Sequence, residues 1–441
     1  MRKKLFAFSN KLSSPNLRKI LSNISWLLIE RILRMGVGFF VLAWIARYLG
    51  TAQFGLLNYG IAFVDLFGNL ADLGLNQIII RDLVSEPERK NEILGTAFIL
   101  RTLAGVGTFL LSLIAIFVLR PEDQLSQILV LILALRLVFQ PIDVVDQLFQ
   151  SQVQAKYGVW ARNTSFLIIS VVRVILLETQ ASLIAFAWTF LIESLIANIF
   201  IAIAYQKTTG KIINWRSKLL RAKQMMRVSW PLILSSLAIV VYLRIDQVML
   251  GQLASNQEVG IYSAAVKLSE VWPFMVLAIV KSFSPAIISA KQVSEELYYQ
   301  KIQKLANLLT LIVYAIAIPM TFLSHFLVVF VFGSEYAAAG TVLSIHIWAS
   351  VFGFLGYIKE VWIATEELTK FALAASVLGA ILNIILNWWL IPIYGAVGAA
   401  IATVISYGFA DYIMCFLYPP ARPMGRVMTK AMTLNGLFKN R

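Results

Sequence analysis

The chain has 441 residues, of which 59% are hydrophobic and 14% charged, with a formal net charge of +15 and a mean hydropathy of +0.78. Apolar runs of about twenty residues recur from end to end, which excludes a soluble globular fold and makes the charge a property of loops, not evidence of nucleic-acid binding. The single cysteine, Cys415, excludes an internal disulfide and any cysteine-based metal site.

The opening MRKKLFAFSNKLSSPNLRK is basic, broken by Ser13, Ser14 and Pro15, and followed by an apolar run too long for a signal-peptide core. Residues 1–21 are therefore expected as an uncleaved, basic cytoplasmic segment. Apolar windows and their breakers predict helices over 22–49, 53–76, 93–119, 125–149, 160–177 and 181–205. Six more follow over 228–251, 259–289, 304–332, 337–364, 368–391 and 395–418. The expectation is an all-α polytopic membrane protein: about twelve transmembrane helices in two six-helix lobes around a central cavity. The lobes are placed at 22–205 and 228–418, with a basic cytoplasmic linker at 206–227 and a basic cytoplasmic tail at 419–441. Seven Lys and Arg fall between Lys207 and Arg227, whereas the opposite connections hold only Arg120, plus Arg47 at a helix end. That asymmetry places both termini in the cytoplasm. The basic linker is read as an orientation determinant that also meets anionic headgroups. A weak repeat pairs Ser25-Trp26 with Ser229-Trp230, Leu49-Gly50 with Leu250-Gly251, and Phe54-Gly55 with Val259-Gly260.

Charges inside apolar helices are costly, so their directions matter. Glu30, Arg31, Arg34 and Gly38 share one face of the first helix, and Asn58, Asp65, Asn69, Asp72 and Asn76 form a stripe along the second. The fourth helix carries Arg136, Gln140, Asp143, Asp146, Gln147, Gln150 and Gln154, with a bend expected at Pro141. In the second half stand Arg244 and Asp246, then Lys267, Glu270 and Lys281 between and beside Pro273 and Pro285. Arg101, Arg136, Arg173 and Lys359 are read as structural ion-pair residues, and Arg47 as snorkelling outward. Arg34 and Arg244 lie roughly 18–24 Å from the cytoplasmic helix ends, too deep to snorkel, and are read as functional. Asp65 and Asp72 are expected to pair with arginines, with cation or proton coupling as the other role. His325 and His346 are read as core residues, and the small-residue run from Gly395 as a close helix contact. Asn58, Tyr59, Gln147 and Tyr262 are weighed as glycan contacts, with packing the stronger reading. Walker-type, HExxH and GxSxG motifs are absent, and the outward loops are too short to build a catalytic site. A non-enzymatic carrier with a basic cavity, suited to an anionic cargo, is what remains.

The runs ISWLLIERILRMGVGFFVLAWIARYLGTAQFGLLNYGIAFVDLFGNLADLGL, DQVMLGQLASNQEVGIYSAAVKLSEVWPFMV and NIILNWWLIPIYGAVGAAIATVIS resemble the polysaccharide biosynthesis (Wzx-like) flippases of the multidrug/oligosaccharidyl-lipid/polysaccharide exporter superfamily. The resemblance spans nearly the whole chain. It implies a multi-pass protein of the bacterial cytoplasmic membrane that flips undecaprenyl-diphosphate-linked oligosaccharides outward by alternating access, for O-antigen, capsule or exopolysaccharide. It implies no bound cofactor, with the membrane potential or a proton or sodium gradient as driving force. Partners would be the lipid-linked oligosaccharide, membrane lipids, and a polysaccharide polymerase or glycosyltransferases. The family's basic cavity has no strict motif; the idea is placed on Arg31, Arg34, Arg244, Lys267 and Lys281. Glu30, Asp65, Asp72, Asp246 and Glu270 are assigned to coupling or charge pairing. The alternatives are a cation-coupled exporter of small amphipathic compounds and a non-transporting scaffold for glycan enzymes.

Overall fold

The computed structural model describes residues 15–435, so the first fourteen residues of the expected basic N-terminal segment lie outside it. Among the described residues every regular element is helical. In hydrocarbon each backbone N–H and C=O must find its partner within the protein, and a helix achieves this inside one segment. Ten helical stretches are long and apolar enough to cross a membrane, which makes this an all-α, multi-pass membrane protein.

Two of the ten are much longer than one crossing requires. Helix α1, Pro15–Asp72, runs through the connection expected at 50–52 with only Gly50 non-helical (φ 69°, ψ 174°). Likewise Gly395 (φ 54°, ψ −131°) is the one break inside Thr369–Tyr407. Both backbones sit where a Cβ is disfavoured, which is why glycine occupies them. Elsewhere the structure interrupts helices that hydropathy alone reads as continuous. The bend expected at Pro141 is a 3₁₀ turn, Gln140–Asp143. The helix expected over 259–289 is two, Asn256–Ser269 and Pro273–Lys291, with Pro273 in the first turn of the second. That expected over 337–364 parts into Ala339–His346 and Ala349–Thr365.

By contact the chain divides into two compact units. One is the chain up to Tyr48 with Phe63–Leu237; the other is Leu49–Ala62 with the chain from Ala238. The core of the first is built on Leu75, Ile79, Ile93, Leu94, Val144 and Phe149. The linker expected over 206–227 is shorter than its charge suggested, because helix runs to Thr208 and resumes at Leu219. Trp215 Nε1 donates to Tyr205 Oη at 2.8 Å, and Arg216 N to Asn91 O at 3.1 Å. Arg221 is buried, with Glu86 at 2.5 Å, Glu92 at 3.6 Å and Asp82 at 3.7 Å. For Arg221 the headgroup reading is therefore wrong: its charge is met by carboxylates of the same unit.

In the second unit Gly55 and Gly260 pack reciprocally. A Cβ on Gly55 would collide with Asn256 O and come within 2.7 Å of Gly260 N; one on Gly260 would collide with Thr51 O and come within 3.2 Å of Gly55 N. Glu258 accepts from the Ala396 N–H at 2.6 Å, satisfying the donor freed by the break at Gly395. The region read as a basic tail contains a helix, Arg422–Met432, which buries Met424, Val427, Met428 and Ala431 in the core and exposes Arg422, Arg426 and Lys430.

Candidate functional site

In the first unit, α1 presents Glu30 and Arg34 one turn apart to the helices Lys156–Glu178 and Leu183–Thr208. Arg162 grips Glu30 with two bonds, Nε to Oε1 at 2.7 Å and Nη2 to Oε2 at 2.9 Å, and reaches Asp146 at 3.0 Å. Arg173 donates to Glu193 at 3.0 Å and to Thr189 Oγ1 at 3.0 Å. Arg34 lies in the middle, held more loosely: 3.4 Å from Glu193, 3.8 Å from Glu30, donating to Arg162 O at 3.2 Å and resting over the Phe166 ring. Three arginines thus meet three carboxylates in one chain, and the network is close to neutral. Arg31, exposed on the same face, joins Glu30, Arg34 and Met35 in lining an open cavity of about 560 Å³.

Distance decides which guanidinium can turn to a ligand. Arg162 makes short, bidentate contacts of the strong kind, whereas Arg34 keeps 37% of its side chain exposed and its Nε makes no hydrogen bond among the described residues. Arg34 is therefore the more loosely held of the two guanidinium groups.

Farther along α1, Arg136 pairs with Asp65, and Gln140 donates to Asp72 at 2.9 Å. Arg101, almost fully buried, bonds Asn76 and lies 3.7 Å from Asp72. In the second unit Lys359 is held by Asp411 at 2.6 Å and Ala410 O at 3.0 Å. Arg101, Arg136, Arg173 and Lys359 are accordingly ion-pair residues, as expected. Arg244 and Glu270 stand 3.7 Å apart, both partly exposed, and Lys267 is half-buried one turn before Glu270. Lys281 is exposed, with no ion pair among the described residues.

Asp246 is only 3% exposed. Its carboxylate accepts from Tyr262 Oη at 2.6 Å, Thr403 Oγ1 at 2.7 Å and Asn387 Nδ2 at 2.5 Å. All three donors are neutral, and among the described residues no Lys or Arg forms an ion pair with it. Asn387 also donates to Asn383 Oδ1 at 3.0 Å, while its own Oδ1 is buried without a partner. His346, hydrogen-bonded to Ser269 at 2.9 Å, is a satisfied core histidine. Among the described residues no three His, Cys, Asp or Glu gather as metal ligands would.

Four glycan-contact candidates are placed differently. Asn58, Tyr59, Gln147 and Tyr262 are all buried, and each spends its polar group inside the protein: on Phe54 O, Gln252, Asn76 and Asp246 respectively. Arg162 and Glu193 were missed, because neither lies on a polar stripe of its own helix and each meets a residue of α1 far away in sequence. Thr403 was hidden inside the small-residue run from Gly395.

Residues 20–290 match the family described as polysaccharide biosynthesis protein, and residues 231–389 match the family MatE. The chain belongs to the polysaccharide biosynthesis protein family. Solved transporters of the MOP superfamily share its fold. It is 25% identical over 408 residues to the probable low-salt glycan biosynthesis flippase Agl15 of Haloferax volcanii, across 89% of this chain and 83% of that one. Its fold is similar to that of an inward-facing multidrug resistance MATE transporter (TM-score 0.72, 15% identity, 92% of this chain and 99% of the other). It is also similar to that of the lipid II flippase MurJ in an inward closed conformation (TM-score 0.70, 15% identity, 96% and 93%).

Proposed function

We propose that this family member flips undecaprenyl-diphosphate-linked oligosaccharide from the cytoplasmic to the outer leaflet of a bacterial cytoplasmic membrane, by alternating access of two six-helix lobes. Both termini are then cytoplasmic, and a polymerase or glycosyltransferases of O-antigen, capsule or exopolysaccharide synthesis stand beside it. Counting the segments on either side of Gly50 and Gly395 separately turns ten spans into twelve, which supports that arrangement. The observation that carries the reading is Arg34: a loosely paired guanidinium at a cavity of about 560 Å³ that also holds Arg31. A diphosphate entering there replaces Glu193 and Glu30 as the partner, and its lost hydration is replaced by directed donors. Arg244, Lys267 and Lys281 are proposed as further basic contacts for the diphosphate. The probable flippase Agl15 of Haloferax volcanii, similar along most of its length, supports a glycan-linked cargo.

Asp246 is the proposed coupling residue. Its carboxylate is buried and meets neutral donors only, so among the described residues no basic side chain already claims its charge. The unpartnered Asn387 Oδ1 offers a cation a further oxygen.

The test is leaflet transfer of a labelled undecaprenyl-diphosphate oligosaccharide in proteoliposomes. Arg34→Ala should lower the rate by about tenfold or more while leaving the protein folded, since Arg162 and Arg173 keep their own carboxylates. Equal rates for wild type and variant, or equal loss with a cargo lacking diphosphate, would sink the phosphate-exchange role. Asp246→Asn should transfer cargo down its gradient yet lose the response to an imposed proton or sodium gradient. A variant that still responds removes Asp246 from coupling.

A further inference from the structure

The start of the helix Thr369–Tyr407 and the end of the helix Met414–Leu417 lie side by side, with the Phe371 and Tyr418 rings stacked at 5.1 Å and 15°. Beside them opens a cavity of about 410 Å³, within the size range of small-molecule sites. Its walls include Phe371, Leu378, Phe409, Leu417 and Tyr418, and Lys370 is its only charged lining residue among those described. Two turns along, Gly379 brings its helix so close to Ala410 that a Cβ there would stand 2.7 Å from the alanine Cβ. Ala410 belongs to a π-helical turn, Gly408–Ile413, whose wider winding carries Phe409 into the cavity wall. Tight contact at one level and an unfilled gap at the next make a groove, not a packing flaw of the core.

Basic residues that form no ion pair among the described residues stand at its wall and on the neighbouring helix. Arg422 Nε donates to Phe416 O at 3.2 Å, which ties the helix Arg422–Met432 to the rim of the groove. Arg422, Arg426 and Lys430 follow at four-residue spacing on its exposed side. Among the described residues none of these three, nor Lys370, forms an ion pair, and the sequence beyond Asp411 contains no Asp or Glu. An apolar groove at the end of two membrane spans, rimmed by unneutralised basic groups, has the chemistry of a lipid site where hydrocarbon meets water.

We propose that this groove binds an acidic glycerophospholipid, one acyl chain lying against Phe409 and Leu417 and the phosphate held by Lys370 and Arg422. The site is separate from the cavity at Arg34, and it stands or falls independently of the cargo proposed above. It would tie the folded second unit to membranes rich in anionic lipid.

The test is native mass spectrometry of the full chain released from mixed micelles, with phosphatidylglycerol and phosphatidylcholine offered at equal concentration. One phosphatidylglycerol should remain bound per chain, and K370Q/R422Q should lower its retention by about tenfold. Ala374→Trp, at an exposed lining position, should do the same by filling the groove without entering the core. Equal retention of the two lipids overturns the proposal, as does wild-type retention in both variants. Displacement by glycerol 3-phosphate alone would remove the acyl chain from the assignment. Displacement by equimolar undecaprenyl phosphate would give the groove to the carrier lipid instead.

Discussion

Arg34 and Lys359 are both basic residues within apolar helices, and their surroundings separate them. Lys359 is 5% exposed and fully engaged by Asp411 and Ala410 O. Removing one partner of such a pair leaves an uncompensated charge in low dielectric, so Lys359→Met should cost about 3–5 kcal/mol. Adding Asp411→Leu should return most of that loss, and thermal unfolding in detergent of the single and double variants checks it. The pairing of Asp65, Asp72 and Arg136 was legible from the sequence because these charges sit on polar stripes of their own helices. The Asp246 cluster was only half legible. Its carboxylate stands out in a hydropathy trace, but Tyr262, Asn387 and Thr403 look like ordinary packing residues until three helices bring them to one point. Arg162 and Glu193, 132 and 159 positions from the α1 residues they meet, left no periodic trace at all.

Helix existence followed from hydropathy, whereas helix interruptions followed from local backbone chemistry. Pro141 and Pro273 are visible breakers, but the π-helical turn at Gly408–Ile413 has no distinctive residue, and the helix Arg422–Met432 was obscured by its charges. Its Met424, Val427, Met428 and Ala431 do repeat at helical spacing, a pattern discernible in the sequence itself. The short segment joining Thr208 to Leu219 is another element whose behaviour follows from its contacts. Glu86, which accepts two bonds from Arg221, has its carboxyl held below the usual value of 4.5 mainly by those bonds. A lowered folded-state value means the contact contributes at neutral pH, where both states are ionised, and is lost as pH falls through that lowered value. Cleavage of the 209–218 segment by an acid-active protease should therefore rise below about pH 4.5 and be less pH-dependent in Glu86→Gln. A cleavage rate flat across that range in wild type would show that Arg221 does not hold the segment.

For the molecule as a whole, the large positive charge is distributed so that spans stay close to neutral and the excess lies at helix ends and connections. The cargo proposed here carries two negative charges, and its outward passage across an inside-negative potential is favoured by roughly 2.3 kcal/mol per charge per 100 mV. Imposing such a potential on proteoliposomes should accelerate net outward transfer, and reversing its sign should slow it. Rates insensitive to both signs would mean that the moving complex is electrically neutral, with a counter-ion travelling alongside the diphosphate. Fold class was open to sequence reading because the bilayer acts on every residue of a span alike. Which arginine is loosely held was not, because it depends on distances between helices more than a hundred residues apart.

The paired glycines at 55 and 260 bear on the chain's history. Each lies where the other's backbone leaves no room for a side chain, and neither has anything to trim in compensation. A side chain at either position must push the two segments apart, whatever stands at the other. If the two halves arose by duplication, the glycines that meet here are the ones that the weak sequence repeat pairs.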